Sequence, residues 1–163
     1  MRIRIISTGG TIDKIYFDAR SEFEVGSPQA GVLLAEANVS FDYEVLSLLR
    51  KDSLDLDDAD RELIRATVAV DPCERIIITH GTDTMVQTAR VLQSVENKVI
   101  VLTGSMQPAG QRVTDAIFNV GFAAAAVQLL PEGVYIAMNG RIHDPAITRK
   151  NVKANRFEKD IPR

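Results

Sequence analysis

Short runs of β-branched residues alternate along this chain with segments whose apolar residues recur at helical spacing. Residues 2–8, Tyr43 to Leu48, Arg75 to Thr79, Lys98 to Leu102 and Gly133 to Met138 read as five strands, several of them near-continuous apolar runs of the kind buried on both faces. Between them four helices are predicted. The first follows Ser27-Pro28, an N-cap and a proline at the first helical position, and runs to about Ala37. The second opens at Asp57-Asp58, whose acidity complements the macrodipole, and stops near Val70 ahead of Asp71-Pro72. The third runs from Thr82-Asp83 to about Ser94, with Met85, Ala89 and Leu92 facing the core, and the fourth covers Asp115 to Leu130, where small residues allow close approach to a sheet. Strands alternating with helices through short turns predict a parallel sheet covered on both faces. The charged and aromatic stretch from Asp13 to Glu24 fits neither period and reads as an irregular lid.

Ligand sites of open α/β sheets form at the carboxyl ends of the strands. There the chain delivers, in order, Gly9-Gly10-Thr11, Ser53 with Asp55, Gly81-Thr82-Asp83, and Gly104-Ser105. Glycines let the backbone come close to a ligand, and the helix starts near Thr82 and Thr114 favour an anionic group. A hydroxyl that attacks a carbonyl needs a base, a group to orient that base, and amide donors for the developing charge. These segments supply most of those parts, although Thr11 and Thr82 can equally be read as helix caps or turn hydroxyls.

The chain has 163 residues, 45% of them hydrophobic, enough for one sizeable core. A net charge of −3 with interspersed signs offers no surface suited to nucleic acid or an anionic membrane. One cysteine, Cys73, excludes an internal disulfide and fits a reducing cytoplasm. The N-terminus turns polar at Ser7, too early for a signal peptide, and no apolar run reaches the length of a membrane span. Gly-Gly-Thr after the first strand lacks the third glycine of a dinucleotide turn and the lysine of a phosphate loop. His80 follows a buried strand and reads as a packed imidazole, whereas His143 stands in a polar stretch and reads as exposed; the two lack the partners of a metal site. The acidic run Asp55, Asp57, Asp58 and Asp60 reads as a solvated helix start, apart from Asp55.

Thr8-Gly9-Gly10-Thr11-Ile12 and His80-Gly81-Thr82-Asp83-Thr84-Met85, about seventy residues apart, together resemble the bacterial-type asparaginase and glutaminase family. Supporting matches are Asp52-Ser53-Leu54-Asp55-Leu56, Gly104-Ser105-Met106-Gln107-Pro108, Asp115 with Phe118-Asn119, and Met138-Asn139 ahead of Lys150. The fold so implied is an open, mostly parallel, flavodoxin-like doubly wound sheet with helices on both faces. The expected organisation is one domain over 1–163, corresponding to the family's N-terminal catalytic domain, without the C-terminal domain that completes a neighbouring subunit's site in longer relatives.

The resemblance implies Thr11 as nucleophile, with Thr82, Asp83 and Lys150 as a second catalytic group. It places Ser53 and Asp83 on the substrate's α-carboxylate and α-amine, Ser105 on the amide mainly through its backbone, and amides near Gly10 and Gly81 at the oxyanion. The implied reaction is hydrolysis of L-asparagine to L-aspartate and ammonia through a threonyl ester, without metal or organic cofactor, in a cytoplasmic homodimer or homotetramer. Alternatives are a glutaminase or other small-amide hydrolase, and a non-catalytic amino-acid-binding regulatory module. Arg149 and Lys153 compete with Lys150, and the segment can also be read as a basic exposed tail. The family's lid tyrosine aligns with Phe23, so Tyr16 is the candidate replacement, or else an aromatic lid anchor. Leu54 stands where longer relatives commonly carry a polar residue.

Overall fold

The computed structural model describes residues 1–17 and 22–160. In chain order these form β1 (Arg2–Gly9), β2 (Lys14–Phe17), β3 (Glu22–Val25), α1 (Ala30–Glu36), β4 (Asp42–Lys51), α2 (Asp58–Val70), β5 (Arg75–Thr79), α3 (Met85–Leu92), β6 (Val99–Thr103), α4 (Ala116–Leu129), β7 (Gly133–Met138), β8 (Arg141–His143), β9 (Thr148–Asn151) and β10 (Arg156–Lys159). The main sheet has the order β4-β1-β5-β6-β7-β8, parallel except for the edge strand β8. Without that edge the order is 2-1-3-4-5 in chain succession, the flavodoxin-like arrangement, and the direction of winding reverses between β1 and β5.

Strand pleating sorts the apolar residues into two layers. Ile3, Ile5, Ile77, Val99 and Val101 pack with Leu34 of α1 and with Ala116, Val120, Ala123 and Val127 of α4. Ile6, Ile76, Ile78, Ile100 and Leu102 point the other way, toward Ile64 and Val68 of α2 and Met85, Ala89 and Leu92 of α3. β1, β5 and β6 are therefore apolar on both faces, which explains the unbroken Ile-Ile-Ile and Val-Ile-Val-Leu runs. α2 begins in a reciprocal capping box: Asp60 N–H donates to Asp57 Oδ1 at 2.8 Å and Asp57 N–H to Asp60 Oδ2 at 3.1 Å.

Three sequence expectations need correction. Residues 13–24 are not an irregular loop. β2 and β3 pair as an antiparallel ribbon with Tyr16 opposite Phe23, and only 18–21 of that stretch lie outside the described residues. α1 starts at Ala30 rather than just after Ser27 and has no side-chain cap; the N–H of its N-cap residue Gln29 donates to the Asp13 carboxylate at 2.8 Å. Asp60 is buried rather than solvated, its two oxygens 2.9 and 2.8 Å from Lys51 Nζ.

Past the strand ends, the connecting loops touch backbone to backbone. Gly10 has φ of 84° and lies so close to Gly81 that a Cβ there would collide with the Gly81 backbone. A Cβ on Gly81 would sit 2.6 Å from Cβ and Oγ of Ser53. Gly10→Ala combines left-handed strain with this collision and is expected to lower unfolding stability by about 2 kcal/mol or more. Gly110→Ala, where an added Cβ meets nothing within 4 Å, should stay within ~0.5 kcal/mol. Urea unfolding of the two variants checks the difference.

Candidate active site

The site grows from the reversal of winding between β1 and β5. These strands pair in parallel, with Ser7 opposite Thr79, so the chains leaving them emerge at the same height. One enters a single 3-10 turn, Thr11–Asp13; the other passes through Gly81 to Thr82 and Asp83 ahead of α3. Thr11 is partly exposed, and no hydrogen bond engages its hydroxyl among the described residues.

Thr82 is buried, and Lys150 Nζ donates to its Oγ1 at 2.7 Å and to Asp83 Oδ1 at 2.6 Å. The lysine side chain is 11% exposed and the aspartate 40%. An ammonium between a hydroxyl and a carboxylate is charge-compensated, and it favours negative charge on the Thr82 oxygen. The Lys150 donor bond leaves the Thr82 proton available to another acceptor.

Lys150 does not lie in a basic tail. It sits in β9, opposite Phe157 of β10, and the Phe157 ring is buried in the α2–α3 layer of the core. Arg90 of α3 holds the segment before β9, donating to the carbonyls of Pro145 at 2.9 Å and Thr148 at 3.2 Å. Asn139 Oδ1 accepts from Phe157 N–H at 3.1 Å. Arg149 turns to Glu158 at 2.6 Å, and Lys153 lies exposed in the turn before β10. Of the three basic candidates, Lys150 is the one that reaches Thr82 and Asp83.

Ser53 packs against Gly81 and is buried, and its Oγ has no partner among the described residues. Its carbonyl accepts from Thr84 Oγ1 at 2.7 Å, which binds the β4 and β5 loops together. Because Thr84 is committed there, α3 begins without a side-chain cap; its first-turn amides stand behind Thr82 and Asp83 as donors for an anion. Ser105 turns its hydroxyl to the Gln107 carbonyl, leaving backbone as its means of contact. The loop bearing Ser105 is held by the Asp115 carboxylate, which accepts from the N–H groups of Met106 and Gln107 and from Asn119 Nδ2 at 2.9–3.0 Å.

His80 is fully buried. Its Nδ1 is 2.7 Å from the Gly81 carbonyl, which only accepts, so Nδ1 carries the proton and Nε2 takes the Thr88 hydroxyl at 2.8 Å. Burial pushes its pKa down to about 4. It is a structural imidazole, as the sequence suggested. His143, expected to be exposed, is buried against Phe157 at 6.0 Å between ring centres, and burial lowers its pKa too. Leu54 is exposed beside Ser53, and Asp55 completes the same short turn. Tyr16 and Phe23 stack edge to face at 5.4 Å, and the ribbon is tied to the β4 loop by Lys14 Nζ on Asp52 Oδ2 at 2.6 Å.

Among the described residues there is no group of three or more His, Cys, Asp or Glu side chains able to hold a metal ion, and no helix long and apolar enough to cross a membrane. A cavity of about 590 Å³ lies between β8 and the β9–β10 ribbon, lined by Arg141, His143 and Phe157 among others. It is separate from the convergence of Thr82, Asp83 and Lys150. Free Cys73 is buried beside the turn after α2.

No motif singles out Asp13, because its importance comes from burial. Burial pushes its carboxyl up to about 6, against the lowering effects of hydrogen bonds from Ser7 and Gln29 and the charge of Arg50. A raised folded-state value means that the native protein holds this proton more tightly than the unfolded chain. Stability should then fall as pH rises from about 3.8 to about 6, by a total of about 3 kcal/mol from this group, and level off above. Asp13→Asn should abolish that component, as urea unfolding between pH 4 and 7.5 will show.

Comparison with known proteins agrees with this geometry. A family model described as "Asparaginase, N-terminal" matches residues 2–159. The L-asparaginase of Thermococcus kodakarensis is 31% identical over 154 residues, 87% of this chain and 45% of that protein. The solved structure of the thermostable L-asparaginase from the same organism superimposes with a TM-score of 0.82 at 27% identity, over 98% of this chain and 51% of that one. The glutaminase-asparaginase of Pseudomonas aeruginosa is 37% identical over 95 residues, 54% of this chain and 26% of the relative. The chain thus spans about half the length of the solved asparaginase and less of these curated relatives. With its fold and residues 2–159 matching in this way, the chain belongs to the asparaginase family, through that family's N-terminal domain.

Proposed function

We propose that this chain hydrolyses the side-chain amide of L-asparagine to L-aspartate and ammonia through an ester on Thr11. The observation that carries the reading is Lys150 Nζ, held between Thr82 Oγ1 and Asp83 Oδ1 at 2.7 and 2.6 Å beside the contact of Gly10 with Gly81. Thr11 Oγ1 attacks the amide carbonyl, and backbone amides of the two glycine loops hold the oxyanion. Collapse breaks the C–N bond as the departing nitrogen takes up the proton that the Thr11 hydroxyl gives up, releasing ammonia. Water then attacks the ester, with Thr82, Lys150 and Asp83 managing its proton. Lys150 can act as a base only when neutral, so Asp83 must orient it without fixing its charge too strongly.

Ser53, with its unused buried hydroxyl, fits the α-carboxylate, and the outer oxygen of Asp83 the α-amine. Ser105 contacts the amide through its backbone. No metal or organic cofactor enters these steps. Glutamine or another small amide is the nearest alternative substrate, since one methylene changes selectivity by only ~1–3 kcal/mol. Residues 1–163 act in this reading as one catalytic domain, in the cytoplasm, where a lone buried cysteine stays reduced.

The proposed protein is a homodimer or homotetramer, and α4 offers the surface. Its fourteen residues carry no charge, and Ile117 and Phe118 are 62% and 61% exposed on its outer side. Gly121 lies between them and the exposed Ala125, yet a Cβ on Gly121 would meet nothing within 4 Å, so this chain's own packing does not require a glycine there. A mid-helix glycine costs about 1 kcal/mol relative to alanine. Beside it a groove of about 250 Å³ is lined by Leu33, Val39 and Phe41. A ridge and an apolar groove on one face suit an isologous contact between two copies.

Ammonia release from L-asparagine and L-glutamine by the purified chain tests the activity. Asparagine-selective release is expected, at least 10³-fold lower in Thr11→Ala and in Thr82→Val, with folding retained. Binding of amino acid without release would leave a regulatory module instead. Tyr16→Phe should lower kcat if the hydroxyl serves the lid, and unchanged kinetics would leave Tyr16 as the ring that packs on Phe23. In sedimentation the protein should run as a dimer or larger and Phe118→Glu as a monomer; a monomeric parent would remove α4 as an interface.

A further inference from the structure

A fully buried carboxylate lies directly behind the turn that carries Thr11, and none of the chemistry above uses it. Asp13 closes the 3-10 turn that Thr11 opens. Its Oδ2 accepts from Ser7 Oγ at 2.6 Å and its Oδ1 from Gln29 N–H at 2.8 Å. Its own N–H donates to the Gly10 carbonyl at 3.2 Å, and its carbonyl accepts from Gly26 N–H at 2.7 Å. Ser7 Oγ, with its proton committed to Asp13, is left as the acceptor for Gly9 N–H at 3.4 Å.

One side chain and its peptide groups therefore join β1, the Gly9–Gly10 turn, both feet of the β2–β3 ribbon and the start of α1. The direction of these bonds matters. With the carboxylate accepting from Ser7, the serine oxygen faces Gly9 N–H with its lone pairs free. An amide at position 13 would accept from Gln29 equally well but would donate to Ser7 Oγ, leaving the serine proton buried without an acceptor.

We propose that the Asp13 carboxylate, acting through Ser7 on the Gly9–Gly10 turn, is a positioning residue that sets where the Thr11 hydroxyl stands. This rests on the reading of Thr11 as nucleophile. A purely architectural role makes a different forecast, because burying this acid costs stability at neutral pH that an amide would not. Losses of activity and of stability should thus part company at this position.

Kinetics of Asp13→Asn and Ser7→Ala, beside urea unfolding at pH 7, test the proposal. Expected are a kcat at least tenfold lower in both, KM within threefold of the parent, and an Asp13→Asn variant no less stable than the parent. A well-folded Asp13→Asn with unchanged kcat would overturn it, as would a kcat loss matched by a loss of stability in both variants. If the parent releases no ammonia from either amide, the functional reading fails separately. Amide hydrogen exchange at Gly9 and Gly10 then decides the positioning role: at least tenfold faster exchange in both variants supports it, and unchanged exchange rejects it.

Discussion

The contact between the backbones of Gly10 and Gly81 is the constraint from which the rest of the site follows. β1 and β5 run side by side to the end of their ladder, and beyond it their chains must part, one toward the β2–β3 ribbon and the other toward α3. A side chain at Gly10 would drive these two loops apart. Two further close approaches extend the same logic outward: Ser53 lies against Gly81, and Gly104 lies against the His80 carbonyl. Loops from β1, β4, β5 and β6 thus stack across the sheet's carboxyl edge, and their hydroxyls and amides converge without any long side chain to place them. Left-handed φ at Gly9 and Gly10 is the conformational cost of this arrangement.

Lys150 is the exception, since it comes from the far end of the chain and from outside the main sheet. Its accuracy depends on a two-stranded ribbon, a structure that is marginal alone. Phe157 in the core, Arg90 on two carbonyls and Asn139 on the ribbon backbone supply what pairing cannot. The ion pair with Asp83 adds little to stability at this degree of exposure. Its value is geometric, because it fixes the ammonium where Thr82 is within hydrogen-bond distance.

Legibility in the sequence followed the range of the interactions involved. β5 and β7 were readable to the residue, because an apolar run bounded by turns is a local signal; the two threonine loops were readable because a motif is local too. The β2–β3 ribbon was not, since Lys-Ile-Tyr-Phe and Glu-Phe-Glu-Val are only four residues each, and what makes them strands is their pairing with each other. The β9–β10 ribbon was hidden for the same reason, and Lys150 was reachable only through family resemblance. His143, Asp60 and Asp13 were misjudged or overlooked in one way: polar residues in polar stretches, they become buried through contacts that appear only in three dimensions.

Burial then acts on the ionisable groups around the site with opposite outcomes, and the contrast separates framework from chemistry. His80 is driven neutral and both its nitrogens are occupied, which removes it from the competition for a base. Asp13 is pushed toward its neutral form, and it remains an acid where two donors and Arg50 partly offset the penalty. Lys150 and Asp83 stand apart as an oppositely charged pair, with Asp83 in contact with water. Their contact brings the Lys150 amine to 2.7 Å from the Thr82 hydroxyl. The proposed hydrolysis uses that contact beside a buried threonine, whereas binding an amino acid alone would not require it.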